Sequence, residues 1–138
     1  MRTCVTRLTV RGYELDSFGH VNNAVYLQYS ETAVWNFMKQ SGLLDCVNEA
    51  GLFPVVMEST LRYVHELKML DEVRIESKFS CTASKLTVEH HIINDATNQL
   101  SCKIKAKICL VTRDRIIHDI PDEVVNYLER ETNDPETN

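Results

Sequence analysis

The sequence predicts an α+β domain: an antiparallel sheet of about five strands wrapped around one long central helix, with a short helix closing the C-terminal end. Three observations carry this. The segment Asn23 to Gln40 is apolar around most of its circumference at helical spacing, which describes a helix covered by other structure rather than one lying on a surface. The strand-like segments each have one apolar and one polar face, the pattern of an antiparallel sheet covered on one side. The order of elements is strand, long helix, four strands, short helix, and a sheet curled over one helix satisfies all of them.

Thr3 to Arg11 sets Cys4, Thr6, Leu8 and Val10 against Val5, Arg7, Thr9 and Arg11, a first strand by its period of two. Gly12, Asp16, Ser17 and Gly19 then mark the stretch to Val21 as turn or loop. In the helix that follows, Gln28, Thr32, Asn36 and Lys39 form one narrow polar stripe. Ser41-Gly42 ends it, because glycine accepts the left-handed conformation past a helix terminus. Pro54 leads into a strand over Val55 to Tyr63, and Val73 to Cys81 follows with Val73, Ile75, Phe79 and Cys81 inward. Lys85 to Ile93 turns Leu86, Val88, His90 and Ile92 to one side. Leu100 to Val111 alternates most clearly of all, with Leu100, Cys102, Ile104, Ala106, Ile108 and Leu110 inward. Asn94 to Asn98 joins these last two as a hairpin of about five residues. Pro121 is expected at the first helical position of the closing helix, followed by Asp122 and Glu123 at its positive end. Residues 1–131 are expected to form a single domain and 132–138 a flexible tail.

A chain of 138 residues can bury a sizeable core without metals or disulfides. With 43% hydrophobic and 25% charged residues its composition is that of an ordinary globular protein. A net charge of -5 argues against nucleic-acid binding, which rests on Lys and Arg neutralising phosphates. No apolar run is long enough for a membrane span, and the first residues lack the apolar segment of a signal peptide. Five widely spaced cysteines without a Cys-x-x-Cys predict reduced, structural thiols in a cytoplasmic protein.

Candidate chemistry concentrates in Asp16-Ser17-Phe18-Gly19-His20-Val21-Asn22-Asn23, at the mouth of the apolar helix. Asp16 stands too far before the helix to cap it. By residue type alone it reads as an Asx-turn, its carboxylate bound to its own backbone. The functional reading places a carboxylate beside the free N–H groups of a helix N-terminus, where an oxyanion can be held while the carboxylate serves as nucleophile or base. Acyl transfer uses both parts. His20 is a base by type, though a lone loop histidine is more often structural. One of Asn22 and Asn23 is expected as N-cap. Glu31 falls off the polar stripe, where a half-buried carboxylate is either catalytic or satisfied by a neighbouring donor. His90 and His91 are adjacent on a strand, point to opposite faces and cannot share a metal. No serine-hydrolase elbow, phosphate loop or dinucleotide fingerprint occurs.

The run Tyr13-Glu14-Leu15-Asp16-Ser17-Phe18-Gly19-His20-Val21-Asn22-Asn23-Ala24-Val25-Tyr26-Leu27, with Glu31 and Ala33, closely resembles the hotdog-fold acyl-CoA thioesterases of the 4-hydroxybenzoyl-CoA thioesterase type. Its His-Val-Asn-Asn segment is also similar to plant acyl-ACP thioesterases and their methylketone-synthase-like relatives. The resemblance reverses the odds on Asp16, which matches the catalytic aspartate. It puts Asn23 where a backbone N–H polarises the thioester carbonyl, and gives His20, Asn22 and Glu31 supporting places. It further implies no metal or cofactor, and a homodimer or homotetramer with sites at the subunit interface. Glu66 departs from the family, many of whose members have proline there.

The expectation is therefore an acyl-CoA thioesterase releasing a free acid and CoA. The alternatives are an acyl-ACP thioesterase, a hotdog dehydratase of hydroxyacyl thioesters, and a non-catalytic acyl-thioester binding protein.

Overall fold

The structure, a computed structural model, describes residues 1–130. The expected tail over 132–138 lies outside the described residues, as does the last residue of the expected domain.

Six antiparallel strands form one sheet: β1 (Arg2–Thr9), β2 (Phe53–Tyr63), β3 (Glu72–Cys81), β4 (Leu86–Asn94), β5 (Gln99–Val111) and β6 (Ile117–His118). Their spatial order is β1-β3-β4-β5-β2, and the two-residue β6 continues the line of β4 beside the end of β5. Helix α1 (Asn23–Ser41) crosses the concave face, with α2 (Leu43–Glu49) and α3 (Asp122–Glu129) at its far end.

Register makes the inward face a grid. Ser77, His90, Ile104 and Leu61 lie in one row across β3, β4, β5 and β2, and Phe79, Val88, Ala106 and Ser59 lie in the next. Two apolar clusters fill the space under α1. Near its N-terminus, Tyr26, Tyr29 and Ala33 pack on Ile75, Ile92 and Ile104. Near its C-terminus, Phe37 and Met38 pack on Phe79, Val88 and Ile108, and the Phe37 and Phe79 rings stack at 3.9 Å. Sheet burial of this kind contributes about 25 cal/mol for each Å² of apolar surface removed from water.

The predicted elements are found with shifts of one or two residues. Gly42 adopts φ 78° and ends α1 as expected; it is also the N-cap of α2, a helix absent from the expected elements. The hairpin closes through Asn98 at φ 61°. Pro121 is one position earlier than expected: it is the N-cap of α3, with ψ 145°, rather than its first helical residue.

The main correction concerns α1. Within one chain the sheet covers only one side of it, leaving Leu27 and Trp35 exposed. Strand β2, at the sheet edge, is likewise exposed along most of its length, including Val55, Val56 and Met57. The apolar circumference of α1 is thus larger than one sheet can cover.

Candidate functional site

The sharp bend ahead of α1 is built from local backbone pairing. Leu15 and Val21 form an isolated bridge, and His20 forms another with Lys68. Within that frame the Asp16 N–H donates to the His20 carbonyl at 2.7 Å, and the Gly19 N–H donates to the Asp16 carbonyl at 3.1 Å. Gly19 has φ 78°, a conformation that a side chain would strain.

Asp16 is half-buried. Its Oδ1 accepts the Phe18 N–H at 2.9 Å and the His20 N–H at 3.1 Å. This is the Asx-turn that residue type alone predicts. It occupies one carboxylate oxygen only: Oδ2 has no hydrogen-bond partner among the described residues. The turn therefore fixes the direction of the carboxylate and leaves its second oxygen available.

Asn22 caps α1. Its Oδ1 accepts the Ala24 N–H at 3.0 Å, and its carbonyl accepts the Val25 N–H at 2.9 Å. Asn23 is the first helical residue and is exposed. Its N–H has no acceptor among the described residues, so it is a free donor at the positive end of the helix dipole.

The loop is fastened to the helix by a buried contact. Glu14 is 6% exposed; its Oε1 accepts the Tyr29 hydroxyl at 2.8 Å and the Arg11 N–H at 2.8 Å. Its Oε2 accepts Arg11 Nη1 at 3.1 Å, and its carbonyl accepts the Asn22 N–H at 2.9 Å. Burial, and then the hydrogen bond to Glu14, push the Tyr29 phenol well above its ordinary value. Tyr26 packs edge-on against both Tyr29 and Tyr63, and burial raises its phenol to about 12. Its oxygen accepts the Leu67 N–H at 3.3 Å, while Tyr63 donates to the Asn23 carbonyl at 3.0 Å.

The structure thus places Asp16, His20 and Asn22 in one loop and Asn23 at the first position of the helix that follows. His20 is half-buried, and its imidazole makes no hydrogen bond among the described residues. It lies near Glu66, whose carboxyl is held below its usual range by its own N–H and, more weakly, by His65 and His20. Glu31 is elsewhere. It is exposed rather than half-buried, about two turns along α1 from Asn23, and accepts the Trp35 indole N–H at 3.4 Å. Its position off the polar stripe is real, but the side it occupies is the uncovered one.

Sequence reasoning missed Arg11, Glu14, Tyr29 and Tyr63 as supports of the loop. Only the long-range pairing of Glu14 with Tyr29 gives the glutamate its meaning, and nothing in the local pattern signals it. Among the described residues no three His, Cys, Asp or Glu side chains come together as a metal-ligand set, and no helix is long and apolar enough to cross a membrane.

The model of the thioesterase-like superfamily matches residues 10–128. The chain is 33% identical over 93 residues to the acyl-acyl carrier protein thioesterase ATL3 of Arabidopsis thaliana, a match covering 67% of this chain and 49% of that protein. It therefore spans about half the length of that relative. It is 30% identical over 88 residues to the long-chain acyl-CoA thioesterase FadM of Escherichia coli, covering 64% of this chain and 67% of FadM. Its fold matches the crystal structure of Slr0204, a 1,4-dihydroxy-2-naphthoyl-CoA thioesterase from Synechocystis, at a TM-score of 0.83, with 12% identity and coverage of 92% and 96% of the two chains. The architecture is the hotdog fold.

Proposed function

The chain belongs to the thioesterase-like superfamily, and from that premise we propose that it hydrolyses acyl-CoA to a free carboxylic acid and CoA. The observation that carries the reading is an uncommitted Asp16 Oδ2 in the loop that leads into α1, together with an uncommitted Asn23 N–H at the start of that helix. Hydrolysis of a thioester needs both: a group that attacks or activates water, and a donor for the oxygen that becomes negative.

In this proposal the thioester oxygen accepts the Asn23 N–H at the start of α1, where the helix dipole favours the developing charge. Asp16 Oδ2 takes a proton from water as the water oxygen bonds to the carbonyl carbon, or bonds to that carbon itself. In the second route water then hydrolyses the resulting anhydride. In both, the C–S bond breaks and the electron pair leaves with sulfur as CoA thiolate. Asn22 holds the helix end, His20 shapes the loop beside Asp16, and Glu31 stands on the uncovered side of α1. The mechanism asks for no metal or cofactor.

We further infer that the working form contains at least a homodimer, with its sites at the subunit interface. An open β2 edge offers unpaired backbone groups. Beside it, exposed Val55, Val56, Met57, Leu27 and Trp35 form apolar surface that a second copy of the same edge and helix would cover. None of the five cysteines is in a disulfide, which supports a reducing compartment such as the cytoplasm.

The test of the activity is release of free thiol from short, long and aromatic acyl-CoA substrates. A second reading, hydrolysis of acyl-ACP, is favoured by the His-Val-Asn-Asn segment and the likeness to ATL3. Matched acyl-CoA and acyl-ACP substrates separate the two by their relative turnover.

A further inference from the structure

A groove of about 450 Å³ runs along the uncovered side of α1, between the helix and strands β2 and β5. It exists because Ala106 and Ser59 are small residues side by side in one inward-facing row of the sheet. Leu27, Val34, Trp35 and Ile108 make its walls apolar. Its polar lining residues are Ser30, Glu31, Ser59 and His90. His90, on the inner face of β4, lines the groove and is 0% exposed.

The imidazole is held from one side. Its Nδ1 is 2.7 Å from the Ser77 hydroxyl on the neighbouring strand β3, and its ring meets Phe79 edge-on at 6.2 Å. Its Nε2 is buried and has no hydrogen-bond partner among the described residues. The ring is anchored on its β3 side, and the groove that His90 lines is bounded by α1, β2 and β5. Buried polar atoms without partners are rare in native proteins and costly.

The tautomer follows from Ser77. Among the described residues its hydroxyl makes no side-chain hydrogen bond besides the one to Nδ1. Ser77 is 1% exposed, so its proton is satisfied only by donation to Nδ1. That leaves the imidazole with its own proton on Nε2, as a donor. Burial, and then the neighbouring His91, lower the His90 pKa to about 4, which keeps the ring neutral at ordinary pH.

We propose that His90 is a specificity residue whose Nε2–H donates to a hydroxyl or keto oxygen carried on the acyl chain, several carbons beyond the thioester. This rests on the hydrolase reading above. The position of the oxygen follows from helix geometry. The groove's helical wall runs from Leu27 to Trp35, that is from about 6 to about 18 Å beyond Asn23 at 1.5 Å per residue. An acyl chain whose carbonyl sits at Asn23 passes His90 with its middle, not with the carbons next to the thioester. An unsubstituted chain leaves the already buried Nε2–H unmatched, whereas an oxygen on the chain supplies the acceptor it lacks.

The test uses acyl-CoA thioethers, which cannot be hydrolysed, alongside the corresponding thioesters. Each set contains chains of one length, plain or with a hydroxyl or keto group moved along the chain. Wild-type protein should bind the best mid-chain oxygenated thioether on the order of tenfold more tightly than the plain one, and the thioesters should show the same preference in KM rather than kcat. In His90→Leu, and in His90→Leu/Ser77→Ala where no hydroxyl is stranded, the ratio should fall to about one. His90→Gln, which keeps a donor, should restore part of it. Equal binding of plain and oxygenated chains by the wild type overturns the proposal. So does a preference that survives in the folded Leu variants, or one only for oxygen next to the thioester. Because binding is read without turnover, absence of thiol release would count against the hydrolase reading alone.

Discussion

The Tyr29 hydroxyl donates to Glu14 Oε1 at 2.8 Å, joining the buried face of α1 to the turn that precedes Asp16. Glu14 in turn holds Asn22 through its carbonyl, so one buried acid connects the carboxylate end of the loop to its helix-capping end. Tyr29→Phe removes the donor and leaves a buried carboxylate oxygen short of a partner. The expected cost is about 1–3 kcal/mol of stability, read as a lower urea midpoint. Turnover should also fall, because the loop loses its fastening to the helix. Unchanged stability and turnover would show that Glu14 positions nothing.

Asn22 is expected to matter through its cap. Asn22→Ala should cost about 1 kcal/mol, and Asn22→Asp or Asn22→Ser should recover most of it. Thermal unfolding of the three variants measures this. An Ala variant as stable as wild type would mean that the Ala24 N–H finds another acceptor.

Acid should destabilise the protein through His90. An unperturbed imidazole titrates near 6.5, and in the folded protein His90 does so at about 4. Between those values the unfolded chain binds a proton that the folded one refuses, so stability is complete above about pH 6.5 and declines as pH falls toward 4, by a scale of about 3 kcal/mol. Urea midpoints across this range, compared with His90→Gln, isolate the effect from the carboxylates. The wild-type curve should be steeper; parallel curves would contradict the assignment.

The β2 edge should govern assembly. Met57→Lys and Val55→Lys each place a charge on the exposed edge and should shift the molar mass in solution toward that of one chain, with turnover falling in step. A protein that is already monomeric and active without such changes would contradict a site at a subunit interface.

The sheet and α1 were legible because their signals are repetitive: the period-two alternation of Leu100 to Leu110 and the helical spacing from Val25 to Met38 each recur several times. The short elements were not. Helix α2 rests on little more than Leu43 and Val47 at a spacing of four, both buried, and β6 is two exposed residues. The uncovered side of α1 was also beyond the pattern, since apolarity marks a surface to be covered without saying whether the same chain covers it. Within the site, Asp16 and the Asn22 cap could be read locally. The meaning of Glu14 could not, because its partner Tyr29 is fifteen residues away on another element. His90 was correctly turned inward by alternation, but nothing along β4 pointed to Ser77.

The Asx-turn and the proposed chemistry share the Asp16 carboxylate through different oxygens, and one substitution separates them. Asp16→Asn retains an oxygen for the Phe18 and His20 N–H groups, so the loop should keep its shape while Oδ2 is replaced by an amide that neither attacks nor accepts a proton. Free-thiol release should then fall by on the order of 10²–10⁴, with the unfolding midpoint nearly unchanged. A folded Asp16→Asn protein that turns over acyl-CoA at close to the wild-type rate would contradict the central role given to Asp16.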